Sequence, residues 1–293
     1  MFVIKFKKLF IGISVALVLA AIASVVFFGL KPGIDFTGGS SIELAYKGER
    51  PETTVVQNVL TNAGFGDALI QPLGSSDMVI KTRTLSEQER ASIVSLAGLG
   101  GMYQLEQKSF TTIGPSVGNE LKRKAIASII LVLLGIILFV SYAFRKVSYP
   151  IASWKYGAVV ILALIHDIII PTGVFAVVGH FYGFEVDTLF IVALLTTLGL
   201  SVADTIVVFD RIRENLTHNM KRPFAELVGE SLSQTFVRSL NTSFVVLVMV
   251  LALAFFGPES TRLFSVVLAV GMFFGTYSSI FLASPLLVVI EGL

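Results

Sequence analysis

One carboxylate, Asp204, lies inside an otherwise apolar run, TLFIVALLTTLGLSVADTIVVFDRIREN, over residues 188–215. An ionisable side chain is costly in hydrocarbon, so a carboxylate kept there indicates a function and a partner. Three hydroxyl side chains recur with it at helical spacing: Thr197, Ser201 and Thr205. We expect these side chains and the carboxylate to form one polar face that looks into a helix bundle rather than at lipid.

A polar stripe in the next apolar run offers a partner for this carboxylate. Its members are Ser231, Gln234, Thr235, Arg238, Asn241 and Thr242. At 1.5 Å per residue, Asp204 lies about 24 Å and Arg238 about 27 Å from the outer ends of their helices, inside a core about 30 Å thick. Such a pair can separate when the acid takes up a proton, which is a proton-driven switch. The alternatives are that Arg238 extends to the inner interface and that Asp204 is a structural hydrogen-bonding residue.

Two further groups of polar residues belong to these apolar runs. His166 and Asp167 are adjacent in sequence, and without a third ligand they predict a second proton relay or a helix-packing element rather than a metal site. A charged group ends the run that carries the first carboxylate: Asp210, Arg211, Arg213 and Glu214. This group predicts an interfacial cluster held by i,i+3 and i,i+4 pairs.

The composition is that of a membrane protein. The chain has 293 residues, of which 54% are hydrophobic and 14% charged, and such usage is far from that of soluble proteins. A net charge of +2 argues against nucleic acid as a partner. The sequence contains no cysteine, nucleophile elbow, phosphate loop, HExxH or dinucleotide fingerprint, so we expect no enzymatic activity, cofactor or metal.

Six apolar runs predict a polytopic α-helical membrane protein. The first, residues 11–30, follows Lys5, Lys7 and Lys8 and is either a signal peptide or, as we favour, an uncleaved first span within residues 1–30. The other five spans lie within residues 119–293, at about 121–142, 156–178, 188–209, 234–256 and 263–290. Lys and Arg are concentrated in the short loops near residues 145–146 and 211–222. This bias predicts that both termini are cytoplasmic.

Residues 31–118 form the one long polar segment, which we expect to be extracytoplasmic. Alternating and amphipathic patterns predict strands at 41–46, 68–72, 78–83 and 102–112, and helices at 51–63 and 85–96. Thr84 or Ser86 would cap the second helix. The order βαββαβ predicts a small ferredoxin-like α+β domain. Without His or a compact carboxylate cluster, its predicted role is structural or in contacts.

Three motifs resemble the SecF family of bacterial protein-export membrane proteins. They are GIDFTGG at residues 33–39, His166-Asp167, and LSVADTIVVFDRIREN at residues 200–215. The resemblance extends over nearly the whole chain and implies membership of the resistance-nodulation-division superfamily. It also implies a SecD partner, whose six spans would complete a twelve-helix unit in the bacterial inner membrane.

The resemblance further implies a function and assigns two residues to it. In that family, the SecD–SecF pair uses the proton-motive force to assist late translocation of preproteins through SecYEG, and YajC and YidC are further expected partners. The family's intramembrane aspartate matches Asp204, and its arginine in the next span matches Arg238. Ala203 departs from the family, in which an Asn often precedes the aspartate. The alternatives are a half-transporter for a small hydrophobic substrate and a passive translocon scaffold.

Overall fold

The computed structural model describes residues 2–145, 152–218 and 222–292, and its contacts divide the chain into two compact units. The sheet unit comprises Lys31–Ile126 and Gly183–Thr188, and the other described residues form the helical unit. The predicted domain, residues 31–118, omitted the segment Gly183–Thr188, which the sequence places in a loop between two spans. Two residues of the predicted Lys- and Arg-rich loops, Lys146 and Lys221, lie outside the described residues.

The elements are numbered here in chain order. The helices are α1 Phe2–Lys5, α2 Lys7–Phe28, α3 Ile34–Thr37, α4 Thr53–Asn62, α5 Glu87–Ala97, α6 Pro115–Ala143, α7 Ser153–Tyr182, α8 Thr188–His218, α9 Phe224–Phe256, α10 Glu259–Tyr277 and α11 Ser284–Glu291. A π-helical segment, Ser278–Ala283, joins the last two. The strands are β1 Gly39–Tyr46, β2 Leu69–Leu73, β3 Asp77–Thr82 and β4 Leu105–Ile113.

The strands of the sheet unit pair antiparallel in the order β2-β3-β1-β4, with α4 and α5 as the connecting helices. This arrangement confirms the predicted βαββαβ ferredoxin-like fold. Alternate side chains of β1 and β3 are fully buried: Ile42, Leu44, Met78 and Ile80. Because each contributes about 1.5–3 kcal/mol of burial free energy, the strand alternation decides which face of the sheet forms the core.

Helix α5 begins with a capping box. The Ser86 side chain accepts a hydrogen bond from the Glu89 backbone N–H, and the Glu89 carboxylate accepts one from the Ser86 backbone N–H. The Arg83 guanidinium lies 2.6 Å from the same carboxylate, and together with Ser86 it lowers the pKa of Glu89 to about 2. Ser86 is therefore the N-cap, one of the two residues predicted for that position.

Six helical stretches of the described chain are long and apolar enough to cross a membrane, as predicted. They are Lys7–Phe28, Pro115–Ala143, Trp154–Tyr182, Thr188–His218, Phe224–Phe256 and Ser260–Glu291. The last comprises α10, the π-helical segment and α11. The fold is therefore a six-span helical membrane protein with an early α+β unit.

Several spans are longer than hydropathy predicts. Helix α6 begins at Pro115 rather than 121, α8 continues to His218 rather than 209, and α9 begins at Phe224 rather than 234. A helix continues as long as its backbone hydrogen bonds do, whereas hydropathy drops at the first charged residues. Hydropathy therefore predicts these helices as shorter than they are. At 31 residues, α8 rises about 46 Å, well beyond the roughly 30 Å of a hydrocarbon core.

The far half of α8 is fixed by an aromatic cluster in the helical unit. The rings of Phe144 and Tyr156 stack with centroids 5.2 Å apart, and Phe209 meets both edge-on. Val208 and Ile212 are fully buried in the same core. This packing sets the rotation of α8, and with it the directions in which the polar side chains of the helix point.

Candidate functional site

Asp204 lies 16 positions after the first residue of α8, about 24 Å along the helix. Its side chain is half-buried, and no described residue hydrogen-bonds its buried Oδ2 atom. The Ser239 hydroxyl of α9 lies beside the carboxylate without meeting hydrogen-bond geometry, and the Arg238 guanidinium acts on it electrostatically. A partly buried carboxylate oxygen without a hydrogen bond is costly, and a proton or an additional partner would remove that cost.

Arg238 is exposed on α9, and the guanidinium and the Asp204 carboxylate are farther apart than the 4.0 Å of an ion pair. The structure thus brings the two predicted residues to facing positions, where they interact through space without direct contact. An arginine exposed on a membrane helix requires a polar environment.

The side chains of the predicted polar face of α8 meet two different sets of partners. Thr197, Ser201 and Thr205 follow one another at i,i+4 spacing and are all buried, whereas Asp204 faces α9. At about 100° per residue, the four side chains still lie within about 100° of one another around α8, and Asp204 lies at the edge of that face nearest Thr197. The hydroxyls of Ser201 and Thr205 bond to Asp167 and Ser279, so in the described chain they do not contact the Asp204 carboxylate.

The buried part of that face meets His166 and Asp167 of α7. The Asp167 carboxylate is completely buried and accepts hydrogen bonds from the hydroxyls of Ser201 and Ser278, the latter at 2.9 Å. Its other oxygen lies 2.9 Å from His166 Nδ1. Among the described residues, His166 Nε2 is buried without a hydrogen-bond partner. Asp167 thus connects three spans, α7, α8 and the last one.

The π-helical segment Ser278–Ala283 supplies the third side of this network. Its first two residues are serines that serve different partners: Ser278 bonds to Asp167, and Ser279 lies 2.8 Å from the Thr205 hydroxyl. π-Helical turns occur frequently at functional sites, because the wider turn redirects side chains. Here the wider turn directs two adjacent hydroxyls to α7 and α8.

Small residues let α8 and α10 approach closely. A Cβ atom placed on Gly271 would lie 2.3 Å from the Thr197 hydroxyl oxygen, and one on Gly275 would lie 3.0 Å from Ser201 Cβ. This is the close packing that a GxxxG motif favours in membranes. It brings the two helices near enough for their hydroxyls to reach one another.

The charged cluster at the end of α8 forms i,i+3 pairs. Arg211 lies 2.6 Å from Glu214, and Arg213 lies 2.6 Å from Asp210. Gln234 of α9, predicted to support Asp204, instead accepts hydrogen bonds from Arg211 at 2.6 Å and Asn215 at 2.9 Å. Asn241 is exposed on the same helix as Gln234.

A polar groove of about 480 Å³ runs between α8 and α9 beside this cluster. Its lining residues are Ile206, Val207, Asp210, Arg211, Glu214, Gln234, Thr235 and Arg238. The groove therefore connects the charged end of α8 with the arginine that faces Asp204. Within the described ranges, no three His, Asp or Glu side chains are grouped as metal ligands.

Two residues of the site were not identified from the sequence pattern. Ser239 lies eight positions after Ser231 and four after Thr235, so the helical spacing of the stripe could have identified it. Tyr277 stacks on His166 with ring centroids 6.0 Å apart, and its hydroxyl lies 3.5 Å from Ser14 of α2. The sequence carries no signal for that contact, since it joins residues 263 positions apart.

The chain matches two protein families. Residues 95–292 match "Protein export membrane protein SecD/SecF, C-terminal", and residues 23–49 match the "SecD/SecF GG Motif". The GG-motif match includes the GIDFTGG run, and the longer match includes all of α7, α8 and α9. The longer match covers more than half of the chain.

Curated relatives and a solved structure agree with these matches. The "Protein translocase subunit SecF" of Thermobaculum terrenum is 39% identical over 98% of this chain and 92% of that protein, and that of Anaerolinea thermophila is 35% identical over the same shares. The crystal structure of SecDF, a translocon-associated membrane protein from Thermus thermophilus, superposes with a TM-score of 0.87 at 32% identity. The match covers 99% of this chain and 38% of that longer one. The chain therefore belongs to the SecD/SecF family of protein-export membrane proteins, on the SecF side of that family.

Proposed function

We propose that this chain pairs with a SecD subunit in the bacterial inner membrane and uses the proton-motive force to assist late, SecYEG-mediated translocation of preproteins. YajC and YidC are further candidate partners. Both termini are cytoplasmic in this proposal, and residues 31–118 are extracytoplasmic, in accord with the Lys and Arg bias of the short loops. The coupling ion is the proton, and its site is Asp204.

The observation that carries the proposal is the state of Asp204. It combines a buried, unpaired oxygen with a facing arginine that is not in contact. A carboxylate in these surroundings has two accessible arrangements: the charged form attracts the guanidinium, and the protonated form releases it. Alternation between them would move α8 against α9, which converts proton passage into helix movement.

The half-transporter alternative requires a roomy apolar pocket. The apolar cavity between α9 and α10, lined by residues such as Leu247, Met272 and Phe281, measures about 210 Å³. Pockets that enclose a drug-sized ligand measure roughly 300–1,000 Å³. This comparison favours the export function.

The test is preprotein translocation into sealed inverted vesicles that contain this chain and its SecD partner, with and without a proton-motive force. We expect Asp204→Asn to insert normally but to reduce translocation to the level seen without the force, because the amide cannot change its charge. Asp210→Asn is the matched control, since Asp210 is an exposed carboxylate six positions along the same helix. Normal force-dependent translocation by Asp204→Asn would favour the passive scaffold instead.

A further inference from the structure

The motif at residues 33–39 contacts the chain segments that begin two other membrane helices. The motif itself follows α2, which ends at Phe28. Within the sheet unit, it packs against the segment Gly183–Thr188, which leads into α8, and against the first residues of α6. Three of the six predicted spans therefore enter or leave the sheet unit at one junction.

Backbone hydrogen bonds join the motif to the segment before α8. The Gly33 N–H donates to the Val186 carbonyl at 2.8 Å, and the Val186 N–H donates to the Lys31 carbonyl at 2.8 Å. These two bonds form a parallel bridge between Pro32 and Val186. A Cβ atom on Gly33 would lie 3.1 Å from the Val186 carbonyl oxygen, so the close approach favours glycine.

Asp35 contacts the first residue of α8 directly. Its Oδ2 atom accepts a hydrogen bond from the Thr188 backbone N–H at 2.9 Å. The first N–H groups of a helix have no partner within the helix, and a carboxylate there also interacts favourably with the helix dipole. Asp35 thus holds α8 at the end of the helix that lies 16 positions before Asp204.

The glycines of the motif hold the start of α6. Gly38 has φ +79°, and a Cβ atom on it would lie 2.9 Å from the backbone of Pro115, the first residue of α6. A Cβ atom on Gly118, one turn into that helix, would lie 2.8 Å from the Gly38 nitrogen. The backbones touch here, and larger residues would separate them.

Two side chains of the sheet hold the segment before α8 in place. Gln71 of β2 donates to the Gly183 carbonyl at 2.6 Å, and Lys81 of β3 forms an ion pair with Glu185 at 3.1 Å. Both members of the ion pair are mostly buried. The segment is therefore fixed to the sheet by side chains at its start and by the motif at its end.

We propose that Asp35 is a positioning residue that fixes the first residue of α8 to the sheet unit, so that movement of α8 at Asp204 is transmitted to that unit. The inference rests on the proposed function, because it says how the proton-driven movement of α8 would reach the sheet unit. It does not make Asp35 a proton carrier. Loss of the Asp35 carboxylate would leave Asp204 able to bind a proton while the sheet unit follows α8 less closely, since only the segment before Thr188 would still be held to it.

The test compares Asp35→Ala, Asp35→Asn and Asp67→Ala in the full chain with its SecD partner. Asp67 is the matched control, since its carboxylate also accepts a backbone N–H, that of Arg83 at 3.3 Å, but within the sheet unit and away from α8. Amide hydrogen exchange of the peptide around Thr188 measures the contact. Translocation with and without the proton-motive force measures the coupling, and Asp204→Asn is assayed alongside.

We expect Asp35→Ala to raise exchange at Thr188 about tenfold and to lower force-dependent translocation, with force-independent translocation kept. Asp35→Asn should retain much of the exchange protection and of the force-dependent translocation, because its amide oxygen still accepts the Thr188 N–H. Asp67→Ala should keep its force-dependent translocation. The inference would be overturned if Asp35→Ala left amide exchange at Thr188 unchanged or kept full force-dependent translocation. It would also be overturned if Asp35→Ala and Asp67→Ala lost equal amounts of force-dependent translocation. Failure of the proposed function is recognised separately, because Asp204→Asn would then export normally.

Discussion

Asp167 and Asp204 are both carboxylates in apolar helices, and their surroundings differ in a way that separates their roles. Asp167 is completely buried, and each of its oxygens has a hydrogen-bonding neighbour. Asp204 is half-buried and has an oxygen with no bond in the described chain. A buried carboxylate whose hydrogen bonds are all formed is held in one arrangement. A carboxylate that lacks a hydrogen bond is stabilised when it takes up a proton or finds a new partner. We infer that Asp167 ties helices together and that Asp204 is the group that cycles.

The substitution Asp167→Ala tests this difference. It would leave the Ser201 hydroxyl without its buried acceptor, at a cost of about 1–3 kcal/mol, whereas the Ser278 hydroxyl still reaches the Gly275 carbonyl. We therefore expect a clear drop in the thermal unfolding midpoint of the detergent-purified chain. Asp210→Ala should change the midpoint little, because an exposed ion pair contributes at most about 1 kcal/mol. An unchanged midpoint together with lost force-dependent export would instead make Asp167 a proton relay.

At the residue scale, the functional residues could be identified from the sequence, but the directions in which their side chains point could not. Asp204 was recognisable because charge is rare in a span, and Arg238 because its depth could be counted. The different partners of Asp204 and Thr205 could not be predicted, since helical spacing places both residues on one broad face and does not say which helix each of them meets. That choice is made by the packing of α8 against α9 and α10.

At the scale of elements, α8 and α10 make a close contact at Gly271. Gly271 lies where a Cβ atom would come within 2.3 Å of the Thr197 hydroxyl oxygen. The distance between the two helices is therefore set by the absence of a side chain. The hydroxyl network of Ser201, Thr205 and Ser279 depends on that distance.

Gly271→Ala should separate the two helices and lower stability by about 1–3 kcal/mol, the usual cost of overpacking. Gly199→Ala, inside α8 itself, is the matched control, because a Cβ atom there meets nothing within 4 Å. Its expected effect is neutral or stabilising by up to about 1 kcal/mol, since alanine favours a helix over glycine. Thermal unfolding of both variants in detergent measures the difference, and equal midpoints would contradict the close packing.

The elements that were predicted correctly are those with a local signal. The strands of the sheet unit follow from alternation and the six spans from apolar runs, both of which are read within about 20 residues. The π-helical segment Ser278–Ala283 and the docking of Gly183–Thr188 were not predicted. Both depend on partners far away in the sequence, such as Asp167 for Ser278 and Lys81 for Glu185.

At the scale of the whole molecule, one face of α9 lacks a covering element in the described chain. Arg238 and Asn241 are exposed there, together with Phe244 and Val245. Lipid would solvate the apolar residues but not the arginine. A helical partner with polar groups at that depth fits the whole face, which is consistent with the proposed SecD subunit.

A photo-reactive amino acid at position 245 should therefore capture SecD when the two chains are co-expressed. Val245 is 57% exposed and lies two turns from Arg238. Leu131 of α6 provides the control, since it is 68% exposed on a helix whose apolar stretch suits lipid. We expect no SecD adduct from position 131. Equal capture at both positions, or none at position 245, would rule out this face of α9 as the partner surface.

The bond between Asp35 and Thr188 joins residues 153 positions apart, and this separation has a consequence for biosynthesis. At about 5–20 residues per second, a ribosome needs roughly 8–30 s to progress from one residue to the other. All four strands are made in that interval, but the junction at residues 33–39 stays open until the third span has been synthesised. Maturation of the sheet unit is thus timed by the insertion of α7 and the emergence of α8.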